Sequence, residues 1–199
     1  MDIVIIKYNA GNIESVNNAL NRLGINAEIT ADPDKIRNAD KVIFPGVGEA
    51  STTMYYLRKH GLDKLIVSLE QPVLGICLGL QLMCSHSEEN DTVCLGIFDE
   101  KVIRFVPKPG EEFITKVPHM GWNAIAHLKS NIFSENNENG YVYFVHSYYA
   151  GLGDHTVATC NYINSFSAAL QKDNFYATQF HPEKSGTIGA QILKNFINL

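Results

Sequence analysis

The chain has 199 residues and a formal net charge of -5, with 45% hydrophobic and 19% charged residues. These values are typical of a globular protein, and the lack of a basic run argues against nucleic acid or an anionic membrane as a partner. No stretch reaches the roughly 20 apolar residues of a membrane span, and the apolar run at residues 3–6 is too short for a signal-peptide core. We therefore expect a cytoplasmic protein forming one domain over residues 1–199.

The first half of the chain alternates strand and helix signals. The apolar run at residues 3–6 predicts a strand buried on both faces, and a turn follows at residues 9–12. Apolar residues at three- and four-residue spacing predict a helix over residues 13–23, which Gly24 ends. Further strands are predicted at residues 27–30, 41–44 (stopped by Pro45 and Gly46) and 72–76, with a turn or brief helix starting at 32–34. Helices are predicted at about 50–60, then up to about residue 70, and from about residue 79.

The second half contains mostly strand signals, separated by turn-rich stretches. The predicted strands lie at residues 141–145, 156–160, 166–170 and 175–179, before a final helix at 188–199. Alternating strands and helices in the first half predict a mainly parallel sheet with helices on both faces, and the later strands predict an antiparallel extension of it. The predicted fold class is α/β, with a flavodoxin-like three-layer arrangement.

The four cysteines are Cys77, Cys84, Cys94 and Cys160. No pair has CxxC spacing, and no histidine pair is spaced as in a zinc site. Disulfides are not expected in a chain of this size without a signal sequence. We predict that the last three cysteines are small buried apolar side chains, and we expect neither a metal site nor a cofactor.

Cys77 differs from the other cysteines because it lies in the pattern Gly75-Ile76-Cys77-Leu78-Gly79, between a predicted strand and a predicted helix. This is the nucleophile-elbow arrangement, a sharp turn that leaves no room for side chains at the glycine positions. The helix N-terminus favours a thiolate, and the backbone N–H of Leu78 can bind a developing oxyanion. The motif predicts a nucleophile, although such glycines could also serve close packing alone.

A thiol nucleophile needs a base, and His181-Pro182-Glu183 directly follows a predicted strand. Reactive groups of α/β proteins lie at strand ends, and Glu183 is placed to orient the imidazole. Without Cys77, the same three residues would be interpreted as a surface turn. The other histidines rank below His181: we predict surface positions for His60, His86, His127 and His155, and structural roles for His119 and His146.

The loop at residues 45–48, Pro-Gly-Val-Gly, closes a predicted strand at the same sheet edge as Cys77. Its N–H groups, with Val47 at the centre, could supply a second oxyanion donor. The alternative for a loop with two glycines is phosphate binding, but no Lys-Ser/Thr pair follows, which excludes a P-loop.

Together, residues 75–81 (Gly-Ile-Cys-Leu-Gly-Leu-Gln) and 179–183 (Gln-Phe-His-Pro-Glu) resemble the class I (triad) glutamine amidotransferases. The resemblance implies that Cys77 attacks the side-chain amide of glutamine. It also implies that His181 and Glu183 activate the thiol, and that the ammonia passes to a partner active site.

Segments at residues 8–12, 45–48, 118–123 and 143–148 are similar to the glutaminase subunits of imidazole glycerol phosphate synthases, of histidine biosynthesis. This resemblance implies a heterodimer with a (β/α)8 cyclase subunit, and weak activity until that partner binds its ligand. The implied glutamine-binding residues are Gly48, Gln81, Ser147 and Tyr148. The implied interface residues are Asn12, Trp122, Tyr143 and Lys184, although Trp122 and Tyr143 could equally be core aromatics.

Three alternatives stay open on the sequence alone. The chain could be the glutaminase of another synthase, but residues 45–48 and 118–123 argue against it. It could be a cysteine peptidase or γ-glutamyl hydrolase on the same fold, which Gln81 disfavours. It could also be a flavodoxin-like binding module, in which case Cys77 would react no faster than Cys84.

Overall fold

The computed structural model describes residues 1–9, 11–110, 113 and 115–199. Its helices are α1 (Ile13–Arg22), α2 (Pro33–Asn38), α3 (Ala50–Lys59), α4 (Leu62–Val67), α5 (Leu78–Met83) and α6 (Gly186–Ile197). Its strands are β1 (Ile3–Ile6), β2 (Ala27–Thr30), β3 (Lys41–Gly46), β4 (Val73–Cys77), β5 (His86–Ser87), β6 (Thr92–Val93), β7 (Lys101–Arg104), β8 (His119–Ala124), β9 (Tyr141–His146), β10 (Tyr148–Ala150), β11 (Thr156–Asn161), β12 (Ser165–Lys172) and β13 (Phe175–Thr178). Ala10, in the predicted turn at residues 9–12, lies outside the described residues.

The main sheet has seven strands in the order β11-β12-β13-β4-β3-β1-β2. The five strands from β13 to β2 run parallel, and β12 and β11 extend the sheet in antiparallel pairing. This arrangement confirms the predicted α/β class and an antiparallel extension, formed by β11 and β12. The predicted strand at residues 141–145 is not part of the extension, because β9 pairs with β8 in a separate sheet. Because the ends of β4 and β13 are neighbours, the residues that follow these two strands come together at one edge.

The third strand is longer than predicted. Pro45 and Gly46 do not stop β3 but continue it, and Gly46 pairs with Cys77 in register. Proline carries no N–H to donate, but its fixed φ suits an extended backbone. The Pro45 carbonyl is satisfied by the buried hydroxyl of Tyr8, which donates a hydrogen bond of 2.5 Å. The loop that contains Val47 therefore leaves the sheet directly beside Cys77.

Two smaller sheets were not predicted. One has four strands in the order β10-β7-β5-β6, and the other is a two-stranded antiparallel ribbon of β8 and β9. Four of these six strands are only two to four residues long, too short for a period-two pattern. The ribbon places Trp122 directly opposite Tyr143.

The core consists of two clusters of buried side chains. One includes Phe44, Met54, Leu57 and Ile66 and lies with α3 and α4, and the other includes Ile5, Leu20, Phe144 and Phe196 and lies with α1 and α6. Cys84, Cys94 and Cys160 are free and buried, as predicted. Across the described residues, no helix has the length and apolar character needed to cross a membrane.

Candidate active site

The nucleophile elbow has the geometry that the glycine pattern predicts. β4 ends at Cys77 and α5 begins at the next residue, and Cys77 adopts φ 54 and ψ -104, a strained backbone for a residue with a side chain. A Cβ at Gly79 would lie 2.1 Å from the Phe44 carbonyl oxygen, and one at Gly75 would lie 2.8 Å from the Met83 sulfur. Both glycines are therefore required by close packing around the turn.

Cys77 opens into a pocket of about 370 Å³. Its lining includes each residue predicted to bind glutamine or an oxyanion, together with four that were not predicted there. The predicted residues are Val47, Gly48, Leu78, Gln81, Ser147 and Tyr148, and the unpredicted ones are Glu89, Pro118, Val145 and His146. Since His146 also lines it, the pocket lies between the elbow and the end of β9.

His181 and Glu183 form a buried pair beside this elbow. The His181 ring donates from Nδ1 to Glu183 Oε1 at 2.7 Å, and both side chains are fully buried. His181 Nε2 makes no hydrogen bond of good geometry within the described residues, which leaves it available to the thiol of Cys77. Such loose nucleophile–base geometry is common in enzymes without bound substrate.

The surroundings of His181 favour the charged imidazolium. Burial opposes protonation, but the hydrogen bond to Glu183 and the nearby charges of Cys77 and Glu183 outweigh it and raise the pKa of His181 to about 10. A protonated His181 is the form that can give a proton to a leaving amine.

Backbone contacts fix His181 in place. Its N–H donates to the Tyr143 carbonyl at 2.9 Å, and its carbonyl accepts from the Ser185 hydroxyl at 2.6 Å. The same Ser185 oxygen accepts from the Tyr143 N–H at 2.9 Å. The middle of β9 and the residue before α6 therefore hold the histidine between them.

Asn12, predicted as an interface residue, contacts the triad. Its Nδ2 donates to Glu183 Oε1 at 2.6 Å and lies 3.3 Å from His181 Nδ1, which already donates to the same carboxylate. Asn12 precedes α1 in a left-handed conformation, φ 74, to which asparagine is well suited. The sequence contained no signal for this contact, because residues 12 and 183 meet only through the fold.

Glu89 and Gln179 are two further residues at the site that were not predicted from the sequence. Glu89 is half-buried, its Oε2 accepts the backbone N–H of Ala50 at 2.7 Å, and burial raises its pKa. Gln179 is fully buried, and its amide Nε2 lies 3.7 Å from Cys77 Sγ. Gln179 belongs to the motif at residues 179–183, whereas Glu89 lies in a polar turn that matches no motif.

The remaining predicted interface residues lie near the triad but outside the pocket. Trp122 is 54% exposed and its ring centroid is 6.1 Å from that of Tyr143, which is partly buried. Lys184 is exposed. The alternative interpretation of Trp122 as a core aromatic is therefore wrong.

His119 and His146 are buried structural histidines, as predicted. His119 Nδ1 lies 3.0 Å from His146 Nε2, and His146 Nδ1 donates to the Tyr148 carbonyl at 2.7 Å. Burial lowers the pKa of His119 to about 4 and that of His146 to about 3. Both rings are therefore neutral at pH 7.

The surface prediction for His155 is wrong. Its side chain is 15% exposed and contacts the buried Glu100 carboxylate at 3.0 Å. A buried carboxylate needs polar partners, and the turn before β11 brings His155 to it. His60 and His127 are exposed, as predicted, and His86 is partly exposed beside Asp91.

Comparison with known proteins agrees with this geometry. The family described as "Glutamine amidotransferase class-I" matches residues 4–199. The chain therefore belongs to the class-I glutamine amidotransferase family.

Within this family, the chain is similar over its whole length to proteins named "Imidazole glycerol phosphate synthase subunit HisH". The one from Bacteroides fragilis is 60% identical over 100% of both chains, and the one from Escherichia coli is 45% identical over 100% of both. A solved structure of a glutamine amidotransferase from Thermotoga maritima has a TM-score of 0.61 at 20% identity, covering 100% of this chain and 81% of that one. That structural likeness shows the shared fold.

Proposed function

We propose that this chain is the glutaminase subunit of an imidazole glycerol phosphate synthase, acting in the cytoplasm. The observation that carries the proposal is the placement of Cys77, on a strained elbow, beside the buried His181–Glu183 pair and at the floor of one pocket. The whole-chain similarity to the HisH proteins supports the choice of synthase. The reaction is hydrolysis of L-glutamine to L-glutamate and ammonia.

The first half-reaction forms a thioester. The Cys77 sulfur attacks the side-chain carbonyl carbon of glutamine, and the carbonyl oxygen becomes an oxyanion that accepts hydrogen bonds from the N–H groups of Leu78 and Val47. His181 gives its Nε2 proton to the nitrogen as the C–N bond breaks, and ammonia leaves. Glu183 keeps the ring in the tautomer and orientation that this transfer needs.

The second half-reaction releases glutamate. Neutral His181 takes a proton from water, and the resulting hydroxide equivalent attacks the thioester carbon. The C–S bond then breaks, Cys77 leaves as the thiolate beside the protonated His181, and the new carboxylic acid loses its proton to solvent and leaves as the carboxylate.

Polar groups around the pocket can hold the amino-acid end of glutamine. Glu89 places a carboxylate in the pocket, which suits the α-ammonium group of the substrate. Gly48, Ser147 and Tyr148 line the same pocket and can bind the substrate backbone through their own N–H and C=O groups. Gln81 contributes an amide that is held by two hydrogen bonds.

The name of the relatives describes one subunit of a synthase, so a second subunit must use the ammonia. We assign that role to a cyclase of the (β/α)8 type, docked over the surface that includes Trp122 and Lys184. The exposed indole of Trp122 supports this choice, since tryptophan is enriched at the centres of interfaces. Asn12 and Tyr143, placed between this surface and the triad, would connect the docked partner to His181.

A glutaminase assay tests both parts of the proposal. We expect slow hydrolysis by the chain alone and faster hydrolysis once a cyclase and its ribonucleotide ligand are added, because the N–H of Val47 is then aligned with the oxyanion. Cys77→Ala should abolish hydrolysis while leaving the thermal unfolding transition intact, whereas Cys84→Ala should retain it. Substantial turnover by folded Cys77→Ala would refute the nucleophile, and equal rates with and without the cyclase would refute the partner-dependent loop.

A further inference from the structure

Two buried amide side chains, Gln81 and Gln179, link the Tyr148 carbonyl to Cys77. Gln81 Nε2 donates to the Tyr148 carbonyl at 2.8 Å and to Gln179 Oε1 at 3.1 Å. Gln179 Nε2 in turn lies 3.7 Å from Cys77 Sγ. Gln179 is fully buried and Gln81 almost so.

The Tyr148 carbonyl fixes the direction of this network, because a backbone carbonyl can only accept. Gln81 must turn its NH₂ group toward that oxygen, and the same NH₂ group faces Gln179. Gln179 must therefore present its own oxygen to Gln81 and its NH₂ group to Cys77. Flipping either amide would place two acceptors or two donors against each other.

The hydrogen bonds of the buried Gln179 side chain indicate a role other than packing. A buried amide without partners destabilises a fold, so a glutamine in a core position needs acceptors and donors nearby. Within the described residues, the side chain of Gln179 bonds only to the nucleophile Cys77 and to Gln81 of the pocket. An apolar side chain of similar volume would fill the space without needing either.

We propose that Gln179 is a positioning residue with two effects on the reaction, a proposal that rests on the glutaminase function above. Its NH₂ group donates to the Cys77 sulfur, and a hydrogen bond to the charged form of an acid favours that form. Its Oε1 accepts from the Gln81 amide. Gln81 Oε1 has no partner among the described residues, and Gln81 lines the pocket, so this oxygen can accept from a donor group of the substrate. Gln179 thereby favours the thiolate and selects a glutamine over a ligand that presents only acceptors.

Two variants separate these effects. Gln179→Glu keeps the shape and an acceptor for Gln81, but it replaces the donor facing Cys77 with a like charge. Gln179→Met keeps the approximate volume and removes both donor and acceptor. Gln171→Glu is the matched control, because Gln171 lies on the neighbouring strand β12 and makes no side-chain hydrogen bond within the described residues.

The first measurement is the rate of Cys77 alkylation by iodoacetamide as a function of pH, followed by peptide mass spectrometry. It needs no glutamine turnover, and peptide mass spectrometry separates Cys77, which lines the pocket, from the other three cysteines. We expect Gln179→Glu to raise the midpoint of the profile by about 1 pH unit or more, the usual effect of a nearby like charge on an acid. Gln179→Met should raise it less, and Gln171→Glu should match wild type. An unchanged midpoint in folded Gln179→Glu would overturn the donor assignment.

The second measurement is the glutamine concentration that protects Cys77 from iodoacetamide. Gln179→Met should weaken protection by about tenfold, the loss expected when a polar contact to the substrate is misoriented. Gln179→Glu should stay near wild type, because its carboxylate still accepts from Gln81. Equal protection in Gln179→Met and wild type would overturn the Gln81 assignment. A wild-type chain that glutamine does not protect would instead refute the glutaminase function, while the pH profile would still test Gln179.

Discussion

Two histidine sites are buried around the same pocket, yet their surroundings move the two pKa values in opposite directions. Burial disfavours the imidazolium at both sites. At His181 the acidic neighbours Cys77 and Glu183 outweigh burial, and the pKa rises to about 10. At His146, beside His119 and a backbone carbonyl, burial prevails and the pKa falls to about 3. We therefore expect the proton carrier to be the buried imidazole that acidic groups flank, His181.

The largest expected effect comes from removing each histidine in turn. His181→Asn should lower the glutaminase kcat by about 10⁴–10⁶-fold, because it removes the group that carries the proton. His146→Asn should cost no more than about tenfold, since it alters the contacts to the Tyr148 carbonyl and to His119 but removes no group that carries a proton. Steady-state kinetics on both variants checks the contrast, and losses of similar size would contradict it.

Removing the charge of Glu183 should make His181 more like His146, which is neutral. Glu183→Gln keeps the shape but removes the charge, and its NH₂ group can stabilise the wrong tautomer of the ring. We expect a fall in kcat of about 10²–10⁴-fold with a smaller change in KM. Glu70→Gln, at an exposed position, is the control and should match wild type. A fully active Glu183→Gln enzyme would show that the carboxylate is dispensable.

Asn12 should have a smaller effect through the same carboxylate. Asn12→Ala removes the 2.6 Å hydrogen bond to Glu183 Oε1. Loss of a hydrogen bond to a charged group corresponds to about tenfold in kcat. Asn18→Ala, on the exposed face of α1, should leave the rate unchanged. Measuring both with and without the cyclase separates the triad contact from a role in docking, because a docking role alone would change only the stimulated rate.

The last expected effect concerns stability at mildly acidic pH and leaves catalysis aside. His119 and His146 titrate near pH 4 and 3 in the folded chain and near 6.5 when unfolded, so the unfolded chain binds more protons as the pH falls below about 6.5. Each therefore lowers the free energy of unfolding by up to about 1.4 kcal/mol per pH unit between about 6.5 and its folded pKa.

This stability loss can be measured as a difference between variants. His119→Asn should lose less stability than wild type between pH 6.5 and 4.5 in denaturant unfolding, whereas the exposed His60→Asn should follow wild type. Parallel curves for wild type and His119→Asn would mean that His119 is protonated in the folded chain.

Much of the catalytic site could be predicted because its signals are local. The elbow glycines lie two residues before and two residues after Cys77. Glu183 lies two residues after His181 and reaches its Nδ1. Asn12, Gln179 and Glu89 could not be assigned in the same way. Their partners lie far along the chain, at Glu183, Cys77 and Ala50, and only the tertiary fold brings them together.

The same division applies to the fold. Continuous apolar runs and helical spacing determined β1, α1 and β4, since buried parallel strands and amphipathic helices leave a strong periodic pattern. The continuation of β3 through Pro45, the short strands β5 and β6, and the pocket itself were decided by tertiary structure. Those features depend on hydrogen bonds between distant segments and on close packing at Gly79, and neither leaves a periodic pattern in the sequence.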